Sequence, residues 1–222
     1  MPKIIIANCN PVHIKTEEFL VGKYDALVIN KKGELTAELL EREQPSHIFF
    51  LHWSYIIPKK IWSSYNCIVF HMTDLPYGRG GSPLQNLIVR GVENTKVSAL
   101  RVNEGLDTGD IFLKKDLNLN GTAEEIFLRT GGVIKEMIDE ILEKNLEPIP
   151  QTGEPILFKR RKAKDGDISQ LEDLEQVFDY IRMLDAEGYP KAFLETEHFR
   201  LEFSRASLKK DNILADVRII KK

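Results

Sequence analysis

Cysteine is scarce: only Cys9 and Cys67 occur in 222 residues, far apart and in no CxxC pair. This argues against a disulfide framework and against a cysteine zinc site, and it fits a reducing compartment, so a cytoplasmic location is expected. Long apolar runs are also absent. None approaches the ~18 residues that a membrane span needs, and no membrane partner is expected. The first residues (MPKIIIANCNPVH) lack the h-region and small-residue cleavage site of a signal peptide. Nor is there an excess of basic charge: 31 Lys plus Arg stand against 34 Asp plus Glu, for a formal net charge of −3. Proteins that live on nucleic acid usually show a basic field, so a nucleic-acid partner is not favoured. No internal repeat or low-complexity stretch is present.

What is present reads as a globular chain, with 42% apolar and 29% charged residues. The length suggests one large domain with a small appendage. Residues 3–9 (KIIIANC), 25–30 (DALVIN), 47–51 (HIFFL) and 67–71 (CIVFH) are short, nearly continuous apolar runs. Such runs suit strands buried on both faces. Residues 97–102 and 111–117 read as further strands, and Leu35 to Glu43 as a helix. Strands alternating with helices predict an α/β fold: a Rossmann-like, mostly parallel sheet with helices on both faces. Thr122-x-x-Glu125 is a capping box. It precedes an apolar stripe from Ile126 to Leu142 at helical spacing, which Pro148 and Pro150 stop. A second helix is expected after Ser169-x-x-Glu172, with a stripe through Leu171, Leu174, Val177, Phe178, Ile181 and Leu184. The tail, 192–195, 199–203 and 213–219, reads as a hairpin or meander. The expected division is an α/β domain over 1–150 and a small helix and β-hairpin segment over 151–222. The tail's strands offer an edge through which a homodimer is possible.

The most informative stretch is FHMTDLPYGRGGSPLQN, residues 70–86. An apolar strand ends in His71, a loop rich in Gly and Pro comes next, and Ser82-Pro83 reads as the start of a helix. In open α/β sheets ligands bind beyond the C-terminal strand ends, which is where this histidine falls. The second stretch, EGLDTGD (104–110), puts Asp107 in a Gly-flanked turn between two strands. A carboxylate beside an imidazole can fix its tautomer or pass a proton. Taken alone, each feature has a plainer reading. A strand-end histidine is more often structural, Asp107 suits an Asx-type turn, and the basic run 159–164 is as readily a solvated loop as a phosphate clamp. The glycine loop matches neither a P-loop nor a dinucleotide fingerprint. Trp53 and Trp62 read as packing residues, and both cysteines as inert.

Together these stretches resemble the folate-dependent formyltransferase family. That family's loop reads roughly N-x-H-x-S-x-L-P-x-x-R-G and leads into a proline and a helix. Here it is matched by His71, Thr73, Leu75-Pro76, Arg79-Gly80 and Ser82-Pro83. The later turn, roughly L-D-x-G-D/P, is matched by Leu106-Asp107-Thr108-Gly109-Asp110. A third segment, with Arg160-Arg161, Asp167-Ile168, Ile181-Arg182 and Tyr189-Pro190-x-Ala192-Phe193, resembles the segment C-terminal to the catalytic domain in tRNA and sugar formyltransferases. The likeness covers about residues 45–205. It departs at Val69, where the family carries an Asn two residues before the His. It also has less chain before the His, as in an N-terminally shortened sheet.

The resemblance implies formyl transfer from 10-formyltetrahydrofolate to a primary amine, with no metal. His71 would stabilise the oxyanion or shuttle a proton. Asp107 would orient His71 and help deprotonate the amine. Leu75, Pro76, Gly80, Leu106, Thr108 and Gly109 would line the folate pocket, and Arg79, Asn86, Arg160 and Arg161 would meet the acceptor. The Asn's oxyanion role would fall to Asn66, Asn86, His52 or a backbone amide. The expected acceptor is a small phosphorylated amine, most plausibly a nucleotide-linked amino sugar. The alternatives are a methionyl-tRNA formyltransferase-like enzyme without the tRNA-binding domain, or a non-catalytic folate-binding module, for which Val69 is the motive.

Overall fold

The computed structural model describes residues 2–222. In chain order the elements are β1 (Lys3–Asn8), α1 (Ile14–Lys23), β2 (Asp25–Ile29), α2 (Ala37–Glu43), β3 (His47–His52), α3 (Lys59–Trp62), β4 (Cys67–His71), β5 (Tyr77–Gly80), α4 (Pro83–Ile88), β6 (Asn94–Arg101), β7 (Ile111–Asn118), α5 (Ala123–Lys144), β8 (Ile156–Phe158), α6 (Leu174–Arg182), β9 (Ala192–Glu195), β10 (Phe199–Leu208) and β11 (Ile213–Lys221). Packing divides the chain into two units. The first holds residues up to 80, 95–117 and 127–157; the second holds 81–94, 118–126 and 158–222.

The first unit carries a six-stranded sheet in the order β2-β1-β3-β4-β6-β7. The pairs β1–β2, β1–β3 and β3–β4 are parallel, and β4–β6 is antiparallel. The apolar runs predicted β1 to β4 to within a few residues; β1 and β3 are buried along most of their length, whereas the edge strand β2 fully buries only Ile29. Ile5, Ala7, Ile48, Phe50 and Cys67 form one core cluster with Leu40 of α2 and Ile61 of α3. Ile4 and Ile6 alternate with them, face the other way, and are equally buried. Trp53 and Trp62 pack against the first cluster, as expected of packing residues.

The capping box forms as read. Glu125 N–H donates to Thr122 Oγ1 (3.3 Å), and Thr122 N–H donates to Glu125 Oε2 (2.8 Å). Its helix, α5, buries Ile126, Phe127, Thr130, Ile134, Met137, Ile138 and Ile141. By contrast, α1 escaped the sequence reading, because its buried positions are Thr16, Glu17 and Leu20 and so form no apolar stripe. No helix among the described residues is long and apolar enough to cross a membrane.

The second unit contains α4, α6 and an antiparallel sheet in the order β11-β10-β9. The helix expected after Ser169 starts later. Asp173 caps α6 by accepting from Glu175 N–H (3.2 Å), while Ser169 N–H is held by Asp167 Oδ1 (2.9 Å) in a turn. Leu171 and Leu184 therefore fall outside the helix. Ser82 does precede α4, with φ +52°, but its hydroxyl caps nothing there. It accepts from Arg161 N–H instead (3.0 Å).

Candidate active site

His71 closes β4, and the turn after it returns onto its ring. Gly78 and Gly80 in β5 have φ of +79° and +111°, a region that only glycine enters freely. This conformation lets the Gly78 carbonyl meet His71 Nε2 at 2.8 Å. A carbonyl can only accept, so Nε2 carries the proton and the neutral ring keeps its lone pair on Nδ1. The loop is braced from β6, where Ser98 Oγ donates to the Thr73 carbonyl (2.7 Å).

Asp107 faces that nitrogen. Its φ of +53° is left-handed, a conformation Asp tolerates better than most side chains. Gly109 permits the turn: a Cβ there would lie 1.7 Å from the Arg101 carbonyl oxygen. Asp107 Oδ2 accepts from Gly80 N–H at 2.9 Å and stands 3.7 Å from His71 Nδ1. The His71 and Asp107 side chains are only 10% and 14% exposed. At 3.7 Å the two groups are not directly hydrogen-bonded. Both are acceptors, so a donor atom such as an amine nitrogen can be shared between them. The Gly78 carbonyl, rather than Asp107, therefore fixes the ring's tautomer in this structure.

Gln151 was not singled out by the sequence reading, which saw only a proline-flanked loop. Its Oε1 accepts from Arg79 Nε (3.1 Å) and Nη2 (2.8 Å). Its Nε2 donates to the carbonyls of Asp107 (2.9 Å) and Gly109 (2.8 Å). One amide thus ties β5 to the Asp107 turn, and Arg79, expected at the acceptor, spends both of those donors on Gln151.

The other expected site residues divide between the units. In the first, Leu75 is buried in a cluster with Leu100 and Ile111, and Val69 packs against it. The Pro76 carbonyl accepts from Ile156 N–H (3.2 Å). Leu106 is 71% exposed. Thr108 Oγ1 donates to Asn103 Oδ1 (2.8 Å). His52 turns toward α5, its ring 5.8 Å from that of Phe127. In the second unit, Asn86 Nδ2 reaches the carbonyls of Gly81 (3.0 Å), Ser82 (3.0 Å) and Lys159 (2.9 Å). Arg160 crosses so close to Gly81 that a Cβ there would meet its Cβ at 2.6 Å. Arg161 Nη2 donates to the Asp165 carbonyl (2.7 Å), and its guanidinium lies 5.2 Å from the Tyr180 ring centre. Cys67 is buried, and burial pushes its thiol pKa up to about 12.

Comparison with known proteins bears on the family and the fold. A family model described as formyl transferase matches residues 23–130, and one described as the methionyl-tRNA formyltransferase C-terminal domain matches residues 163–220. A solved structure described as a methionyl-tRNA formyltransferase from Clostridium thermocellum is 52% identical, with a TM-score of 0.97 over 100% of both chains. The curated methionyl-tRNA formyltransferase of Rickettsia prowazekii (strain Madrid E) is 31% identical over 170 residues, 73% of this chain and 55% of its own. A solved structure from Mycobacterium tuberculosis described as a likely sugar N-formyltransferase shares the fold at 18% identity, with a TM-score of 0.71 over 89% of this chain and 93% of its own. This chain belongs to the folate-dependent formyltransferase family. It spans about half the length of the curated relatives it matches.

Proposed function

We propose that this protein transfers the formyl group of 10-formyltetrahydrofolate to a primary amine at His71 and Asp107. The observation that carries the reading is the 3.7 Å approach of His71 Nδ1 and Asp107 Oδ2, each group held by a separate backbone partner. An amine nitrogen between them can donate to both, and together they can take up the proton it must lose to become a nucleophile. The co-substrate supplies the formyl carbon that this amine attacks. The residues present fit it: the Asp107 turn offers an exposed apolar side chain, Leu106, against which a flat heterocycle can lie. Val69 stands among apolar neighbours and offers no donor, so the reading leaves the oxyanion to backbone amides and to His71 Nδ1 once it has taken the amine's proton.

For the acceptor, the relatives favour methionyl-tRNA, the substrate in the names of the 52% identical structure and of the curated proteins. The C-terminal domain match at 163–220 supports the same reading. A nucleotide-linked amino sugar is the second reading, favoured by the net charge of −3. The deciding experiment offers 10-formyltetrahydrofolate with methionyl-tRNA, amino-deoxy nucleotide sugars or no acceptor, and monitors tetrahydrofolate release. Release that needs methionyl-tRNA and disappears in His71→Ala is the expected outcome. Release with a sugar amine alone would select the second reading. Folate binding without release in any arm would mean a binding module.

A further inference from the structure

The outer edge of the three-stranded sheet in the second unit is β11, nine residues long (ILADVRIIK) and flanked by β10 on one side only. It presents an unusual amount of apolar surface: Leu214, Val217 and Ile219 are 61%, 48% and 65% exposed. Proteins normally blunt such an edge with charge, a bulge or proline, because its free N–H and C=O groups are a template for another strand. Here two opposite charges, Asp216 and Arg218, flank its central residue, Val217, and Lys221 stands at its end.

We propose that β11 pairs antiparallel with β11 of a second copy of this chain, about a two-fold axis through Val217. In that register Asp216 of each chain lies opposite Arg218 of the other, Leu214 opposite Ile220, and Ala215 opposite Ile219. All nine residues overlap. Centring the axis on Asp216 or Arg218 instead would set like charges face to face, which is destabilising.

The backbone phase agrees. Lys222 N–H donates to the His198 carbonyl (3.1 Å), and Ile220, Arg218 and Asp216 lie at two-residue steps from it. Those residues direct their backbone groups inward to β10, so Ala215, Val217 and Ile219 direct theirs outward. Val217 and its copy can then exchange both bonds, and Ala215 with Ile219 can do so twice, for about six interchain hydrogen bonds.

The side chains continue across the axis. Glu202 is paired with Arg218 in register, so the second copy's Asp216 extends a row of alternating sign. Asp216 also contacts Arg205 of its own chain. On the other face Leu201 and Phe203 neighbour Ile219 and Val217, and the pairing would extend this apolar row into the second copy. A self-complementary strand selects a second copy over an unrelated partner, because the same patch serves both sides of an isologous interface.

The test is the solution mass of the full chain by light scattering across a concentration series. Wild type is expected at twice the 25.5 kDa chain mass. Val217→Glu and Val217→Lys, each of which sets like charges together on the axis, are expected as monomers with unchanged circular dichroism. An equimolar mixture of the two is expected to recover the dimer mass, because only an axis through residue 217 puts Glu opposite Lys. Val217→Pro removes an outward N–H without touching the β10 ladder and is expected to be a folded monomer. A monomeric wild type, dimers that survive in the single variants, or a mixture that stays monomeric would each overturn the proposal.

Discussion

His13 lies just before α1, only 2% exposed, and its Nδ1 has no hydrogen-bond partner. Helix α5 passes close by: a Cβ on Gly131 would stand 3.3 Å from that nitrogen and 2.5 Å from Thr16 Oγ1. Burial first, and the nearby His52 second, lower its pKa from 6.5 to about 4. Between those values the unfolded chain binds a proton that the folded chain refuses. The stability tied to this group is therefore complete above the unfolded pKa and is lost as pH falls toward the folded one. At about 1.36 kcal/mol per pH unit the full loss is about 3 kcal/mol. Acidification from pH 7 to pH 5 removes about 2 kcal/mol of it. His47 and His52, also lowered by burial, push in the same direction. Urea unfolding read by tryptophan fluorescence measures this directly, since Trp53 and Trp62 pack in the same unit. His13→Leu removes the titrating ring, and the stability difference between pH 7 and pH 5 should shrink by about 2 kcal/mol relative to wild type. An undiminished difference would refute the assignment to His13.

Other perturbations test the candidate site and its frame. Gly109→Ala forces a methyl into the Arg101 carbonyl oxygen and displaces the Asp107 turn, so formyl transfer should fall at least about 100-fold; near-normal turnover would contradict the turn's role. Gln151→Met keeps the volume but removes every bond between β5 and that turn that runs through the Gln151 amide, and should lower kcat about tenfold or more while leaving the melting temperature within a few degrees. A loss confined to stability would make Gln151 a packing residue only. Thr122→Ala deletes the α5 cap and should cost about 1 kcal/mol in urea unfolding without changing the affinity for folate. Val69→Asn introduces an amide among Leu75, Leu100 and Ile111 and should destabilise by about 1–3 kcal/mol; a rise in turnover would mean that the site lacks a donor that Asn can supply.

Strands β1, β3 and β4 were legible because they are mostly buried and so use mainly apolar residues. The α5 cap was legible because its two side chains bond each other's backbone at fixed spacing. Elements that rest on polar or main-chain contacts were less readable. Helix α1 buries Thr16 and Glu17, so its inward face carries no periodic apolar signal. Ser82 and Ser169 have the right identity for caps, yet Arg161 N–H claims the first and an Asp167 turn holds the second. Spacing cannot reveal that kind of competition, because it depends on which distant backbone arrives.

The same limit applies at the centre of the site. His71 and Asp107 stood out as residues, but what holds them did not, because their direct partners are the Gly78 carbonyl and the Gly80 amide. A main-chain group leaves no mark in the sequence beyond the glycine that allows its orientation. Both partners belong to one four-residue strand, β5, which Gln151 fastens to the Asp107 turn through Arg79. Imidazole and carboxylate thus share one support, and a shift of β5 would move the two together. With the two groups 3.7 Å apart and each hydrogen-bonded to β5 instead of to the other, an incoming amine of the kind proposed can donate to both.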